Sequence, residues 1–70
     1  MSEYTVVIED AGDNWSAYVP DLPGCVAVGG SADEALESIR EAIALHVDSL
    51  HTHGEPVPGP VTRVATVQVA

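Results

Sequence analysis

Apolar and polar residues alternate in three stretches of the chain, and a three-to-four residue spacing replaces the alternation in a fourth. Across residues 4–9, Tyr4, Val6 and Ile8 fall on one face and Thr5, Val7 and Glu9 on the other, the period-two pattern of a half-buried strand. Asp10-Ala11-Gly12-Asp13-Asn14 is rich in residues that tolerate positive φ, and Trp15-Ser16-Ala17-Tyr18-Val19 then resumes the alternation. The two segments read as a β-hairpin with a five-residue connection, residues 10–14. Trp15 and Tyr18 project to opposite faces, so one belongs to the core and the other to the surface. Pro20 and Pro23 cannot donate to a ladder and interrupt the pattern; Cys25-Val26-Ala27-Val28 is a short third strand, ended by Gly29-Gly30.

Ser31-Ala32-Asp33-Glu34 has the form of a capping box, in which Ser31 accepts from the Glu34 amide and Glu34 reaches back to the Ser31 amide. Ala35, Leu36, Ile39, Ala42, Ile43, Val47 and Leu50 follow at helical spacing, forming an apolar stripe with the sheet as its partner. Gly54 and Pro56 stop the helix, which spans about residues 32–53. Residues 55–60 form a stiff Pro-rich arm. Alternation returns over 61–69, and this terminal strand can pair with its own sheet or with another protomer. The order is β-β-β-α-β, a single α+β domain over residues 1–70 with an antiparallel sheet and one long helix on one face.

Composition changes this picture in two ways. The chain of 70 residues has one Trp, two Tyr, no Phe and nine Ala, so its core is thin. Domains of this size need a disulfide, a metal or a partner to supplement a core worth about 3 to 5 kcal/mol. Cys25 is the sole cysteine and allows no internal disulfide, which fits a reducing, cytoplasmic setting and points to a homo-oligomer, a dimer or higher. Charge is the second factor: 11 acids against two cations, Arg40 and Arg63, give a formal net charge of −9. Too few cations remain to displace phosphate counterions, which excludes direct nucleic-acid binding, and the same deficit excludes an anionic membrane.

The segments Tyr4-Thr-Val-Val-Ile8, Val19-Pro20-Asp21-Leu22-Pro23-Gly24-Cys25, Glu34-Ala35-Leu36, Glu41-Ala42-Ile43 and Gly54 with Pro56 and Pro58 carry, in this order, a close resemblance to the HicB family of antitoxins. The resemblance covers residues 3 to about 60. It implies a degenerate, partial RNase H-like fold and a HicA-type toxin partner, a small basic mRNA-cleaving protein neutralised by direct protein-protein contact. Many members continue into a DNA-binding domain; none is expected within these 70 residues, so DNA autoregulation is not carried over. The same fold also suits a toxin-free oligomeric interaction or structural module. A small basic product of the adjacent reading frame distinguishes the two.

The candidate interface residues follow from charge and exposure: Asp10 and Asp13 at the hairpin turn, Glu37 and Glu41 on the polar side of the helix, and Tyr18 as an aromatic anchor. An acidic surface steers a cationic partner, although solubility alone also accounts for it. Glu9, Asp10, Asp13 and Asp21 are the carboxylates that a two-metal nuclease would have to bring together, but three of them crowd one turn, and no catalytic residues are expected. His46 and His53 lie seven positions apart, about 10.5 Å along a helix, too far to share an ion, so neither a metal site nor a cofactor is expected. Cys25 has no neighbouring cation to activate it and reads as a packing residue.

Overall fold

The computed structural model describes residues 2–70 and orders them as β1 (Val7–Asp10), β2 (Trp15–Tyr18), β3 (Val26–Gly29) and α1 (Ala32–Thr52). The strands form one antiparallel sheet in the order β1-β2-β3, each paired with its neighbour in sequence. Ile8, Ala17 and Ala27 form one cross-strand row, and Val7, Tyr18 and Val26 form the next. Because successive side chains leave a strand on opposite faces, these rows identify two different surfaces of the sheet. The first lies under α1, where Ala17, Ala35 and Ile39 are buried together with Val19, Leu22 and Cys25. The second face is open, and Tyr18, Val26 and Val28 are exposed on it. Trp15 shares the helix-covered face and packs against the core, so it is the inner aromatic and Tyr18 the outer one.

β1 begins at Val7, three residues later than the alternation suggests, and the reason lies across the ladder. The register opposes Val7 to Tyr18, so the positions before Val7 would face Val19 and then Pro20, which has no N–H to give. Tyr4 and Val6 therefore pack on the core without joining the ladder. The hairpin connection spans 11–14, one residue shorter than expected: Ala11 donates to the Asn14 carbonyl at 2.8 Å, and the Asp10 carboxylate accepts from the Gly12 amide at 2.9 Å. Between β2 and β3 the Pro-Asp-Leu-Pro-Gly segment folds inward. Val19 donates to Cys25 at 3.1 Å and Cys25 to Leu22 at 3.0 Å, which places Leu22 completely inside.

Ser31 caps the helix by accepting from the Glu34 amide at 3.1 Å. The return half of the expected capping box is not formed, because the Glu34 carboxylate lies over Gly30 instead. The last helical residue is Thr52, with His53 as cap. Gly54 at φ +66° lets its own amide reach His51 and the Glu55 amide reach Leu50, satisfying the final carbonyls in a Schellman motif.

The expected terminal strand is not formed. Residues 61–69 make no ladder, and Val61, Val64, Val67 and Val69 remain about four-fifths exposed. The alternation is present, but no strand lies beside it to accept its backbone. The sheet of the single chain therefore has three strands, and the order of the described residues is β-β-β-α followed by an irregular arm and tail.

Candidate partner-binding surface

The register brings Asp10, Trp15 and Gly29 into line at one end of the sheet, and α1 starts just past Gly29. The hairpin acids Glu9, Asp10 and Asp13 are therefore at the same end of the molecule as Asp33 and Glu34, the acids of the first helical turn. A bland cause accounts for the latter pair, since anions at a helix N-terminus are favoured by its dipole. Glu37 and Glu41 extend the charge along the exposed side of α1, where only Arg40 intervenes. Arg40 and Glu37 approach to 3.7 Å with both side chains largely in water, so the pair adds little stability and leaves the surface strongly negative.

Asp10 and Asp13 thus lie at the end of the sheet where α1 begins, and Glu37 and Glu41 are exposed on α1 further from that end. Tyr18 does not join them, because its row faces away from the helix. The carboxylates weighed for nuclease chemistry are also separated: Asp10 and Asp13 sit at the hairpin turn, whereas Asp21 follows the opposite end of β2. Among the described residues, no group of three His, Cys, Asp or Glu side chains is close enough to hold a metal ion. His53 turns its Nδ1 onto the Ser49 carbonyl at 2.7 Å, and His51 lines an open groove beside Asp48 and Val57. Burial pushes the Cys25 thiol above its ordinary range, in keeping with a packing role.

Asp21 has a role that the sequence did not disclose. Its carboxylate accepts the amides of Val61 and Thr62 at 3.1 and 2.9 Å and the Thr62 hydroxyl at 2.7 Å. The Thr62 backbone bond, with help from the hydroxyl, holds the carboxyl below its ordinary value against a smaller opposing effect of burial. Thr5 donates its hydroxyl to the Thr62 carbonyl at 3.0 Å, and Tyr4 donates its hydroxyl to Pro58. The arm is thereby fastened to the foot of the sheet. Neither the spacing nor the type of these residues signals so distant a contact.

The profile describing a HicB-like antitoxin of bacterial toxin-antitoxin systems matches residues 4–70. The chain belongs to this HicB-like antitoxin family. A UPF0150 protein of Thermoplasma acidophilum is 42% identical over 57 residues, which span 80% of this chain and 83% of that protein. An uncharacterised 14.9 kDa protein of Haemophilus phage HP1 is 34% identical over 55 residues, 79% of this chain but only 41% of that longer protein. Among solved structures, a chain of a HicA3 and HicB3 toxin-antitoxin complex superposes with a TM-score of 0.73 at 28% identity, covering 86% of this chain and 70% of that one. The N-terminal domain of a Burkholderia pseudomallei HicB antitoxin superposes at 0.70 with 34% identity, covering 83% and 69%. The three antiparallel strands and long helix are thus the HicB N-terminal fold. Among the described residues no helix is long and apolar enough to cross a membrane.

Proposed function

We propose that this HicB-like chain acts as an antitoxin, binding a small basic HicA-type mRNA-cleaving toxin and neutralising it by direct contact through its acidic surface. The observation that carries the reading is the likeness to a chain of a toxin-antitoxin complex, in a protein whose net charge of −9 suits a cationic partner. The role is non-catalytic and cytoplasmic. Asp10, Asp13, Glu37 and Glu41 supply long-range attraction that speeds encounter, while Tyr18 lies on another face and makes any contact there separately.

The test is co-expression with the product of the adjacent reading frame, which this reading expects to be small and rich in Lys and Arg. Co-purification and rescue of growth arrest are expected, and failure of both overturns the antitoxin reading in favour of a toxin-free module. Replacing Glu37→Lys and Glu41→Lys together should slow association by tenfold or more at low salt, with the difference shrinking as salt rises. An unchanged association rate removes the helix flank from the interface.

A further inference from the structure

Strand β3 directs its larger side chains away from the core. Ala27 and Gly29 fall on the face under α1, while Val26 and Val28 stand on the open face, 66% and 60% exposed. The inner positions are small because the helix lies close: a Cβ on Gly29 would stand 2.5 Å from the Ala35 nitrogen. Packing against α1 thus accounts for Ala27 and Gly29 and gives the two valines no share of the core. An antiparallel sheet with one wet face ordinarily turns its polar residues outward, and β3 does the reverse.

The register joins these valines to a wider patch. Val7, Tyr18 and Val26 form one cross-strand row of the open face, and Glu9, Ser16 and Val28 form the next. Tyr18 is exposed, and Val7 is half-buried beside it. Helix α1 occupies the opposite face, and the valines of the tail stay in solvent instead of lying over this patch.

Glu9 is the single charged residue of the two rows, and it too is exposed. It stands diagonally across from Tyr18, since Glu9 opposes Ser16 and Val7 opposes Tyr18; diagonal neighbours on one face lie about 7 to 8 Å apart. A cation set between them can lie within about 6 Å of the Tyr18 ring centre and also pair with the Glu9 carboxylate. The cations of the chain itself are elsewhere, Arg40 beside Glu37 on α1 and Arg63 in the tail. The notch is therefore open to a cation from outside.

Given the antitoxin reading, on which this rests, we propose that the open sheet face is a second docking surface for the same basic toxin, which lays apolar side chains on Val26 and Val28 and sets an arginine or lysine between Tyr18 and Glu9. Charge selects this occupant. A nucleic acid is repelled by the net charge of −9, and a second copy of the chain would bring the same charge and another Glu9 to the face. A basic protein supplies both the cation and the apolar cover. The two surfaces act at different stages: Glu37 and Glu41 attract at a distance and govern association, whereas the desolvated contact at Tyr18, Val26 and Val28 governs how long the complex lasts.

The test measures association and dissociation rates of the full chain with the product of the adjacent reading frame. Tyr18→Ala combined with Val26→Gln, both at exposed positions, should retain the helical circular dichroism, accelerate dissociation about tenfold or more, and leave association within about twofold. Val28→Gln alone should act in the same direction, and Tyr18→Phe, which keeps the ring, should dissociate like the parent. Leu45→Gln, at an equally exposed apolar position on α1, should change neither rate. A complex whose dissociation is unaffected by both Tyr18→Ala with Val26→Gln and Val28→Gln overturns docking on this face and leaves the antitoxin reading standing. Equal acceleration by Leu45→Gln also overturns it, and Tyr18→Phe dissociating as fast as Tyr18→Ala overturns the cation contact. If the parent chain forms no complex at all, the antitoxin reading falls and this surface falls with it.

Discussion

Thr62 gives Asp21 both its backbone N–H, at 2.9 Å, and its hydroxyl, at 2.7 Å, although the two residues stand 41 positions apart. A carboxylate that accepts several such bonds is stabilised in its charged form. The Pro-Asp-Leu-Pro-Gly turn is therefore an anchor for the C-terminal arm as well as a connection between strands.

Removing the carboxylate should free the arm. In Asp21→Ala, the amides of Val61 and Thr62 lose their acceptor and are expected to exchange with solvent at least tenfold faster, while those of the sheet change little. The pH dependence has a definite sign. The folded carboxyl titrates below its ordinary value of 3.8, so its contribution is complete above that value and is lost as pH falls through the depressed one. NMR titration of the Thr62 amide should show an acid-induced release in the parent chain and none in Asp21→Ala.

Gly29 is required by the closeness of α1 to β3. A Cβ at this position would come within 2.5 Å of the Ala35 nitrogen and 2.7 Å of the Glu34 carbonyl carbon, both backbone atoms of the helix. Gly29→Ala should cost about 1 to 3 kcal/mol, since the helix start must shift to admit it. Gly30→Ala meets only the mobile end of Glu34 and should cost less. Thermal unfolding of the two variants makes the comparison.

Ile39 is fully buried and touches the centre of a small core. Ile39→Ala should lose about 2 to 5 kcal/mol, comparable with everything such a core supplies, so the variant is expected to be largely unfolded at 25 °C. Leu45→Ala, on the same helix but mostly exposed, should change stability by less than about 0.5 kcal/mol. Chemical denaturation followed by circular dichroism distinguishes the two.

Cys25 is closed off in the folded chain, and burial raises its pKa above the ordinary 9.0. Alkylation should therefore proceed only as fast as the protein opens and should accelerate with denaturant. Because the folded thiol holds its proton more tightly than the unfolded one, stability should decline as pH rises past 9.0.

The elements built from local pattern were legible in the sequence. Alternation at Trp15 to Tyr18, the Ser31 cap and the stop at Gly54 each depend on residues a few positions apart, and each appears where expected to within a residue or two. The acidic residues were visible too, but not their grouping. Asp10 and Asp33 come together only through the strand register, and Tyr18 parts from them by the parity of the same register. The terminal strand shows the opposite failure, for alternation at Val64 and Val67 states a capacity to pair and says nothing about whether a partner is adjacent. Asp21 is visible in the sequence as one of several acids and as part of the Pro-Asp-Leu-Pro-Gly segment, but not as an anchor, because its partner, Thr62, is marked by no motif.

The order of pairing also governs how the chain reaches this state. Each strand pairs with the one beside it in sequence and the helix follows at once, so the β-β-β-α unit closes through short loops and should form rapidly. The clasp between Asp21 and Thr62 must wait for a far larger loop and for an arm containing Pro56, Pro58 and Pro60. In the unfolded ensemble about 10–30% of X-Pro bonds are cis, and they revert over tens to hundreds of seconds. Refolding should accordingly split into a fast phase that restores the helix signal and a slow, prolyl-isomerase-sensitive phase in which the arm docks in those chains that carry a cis bond there, so that this fraction spends its first minute with the C-terminal arm still loose.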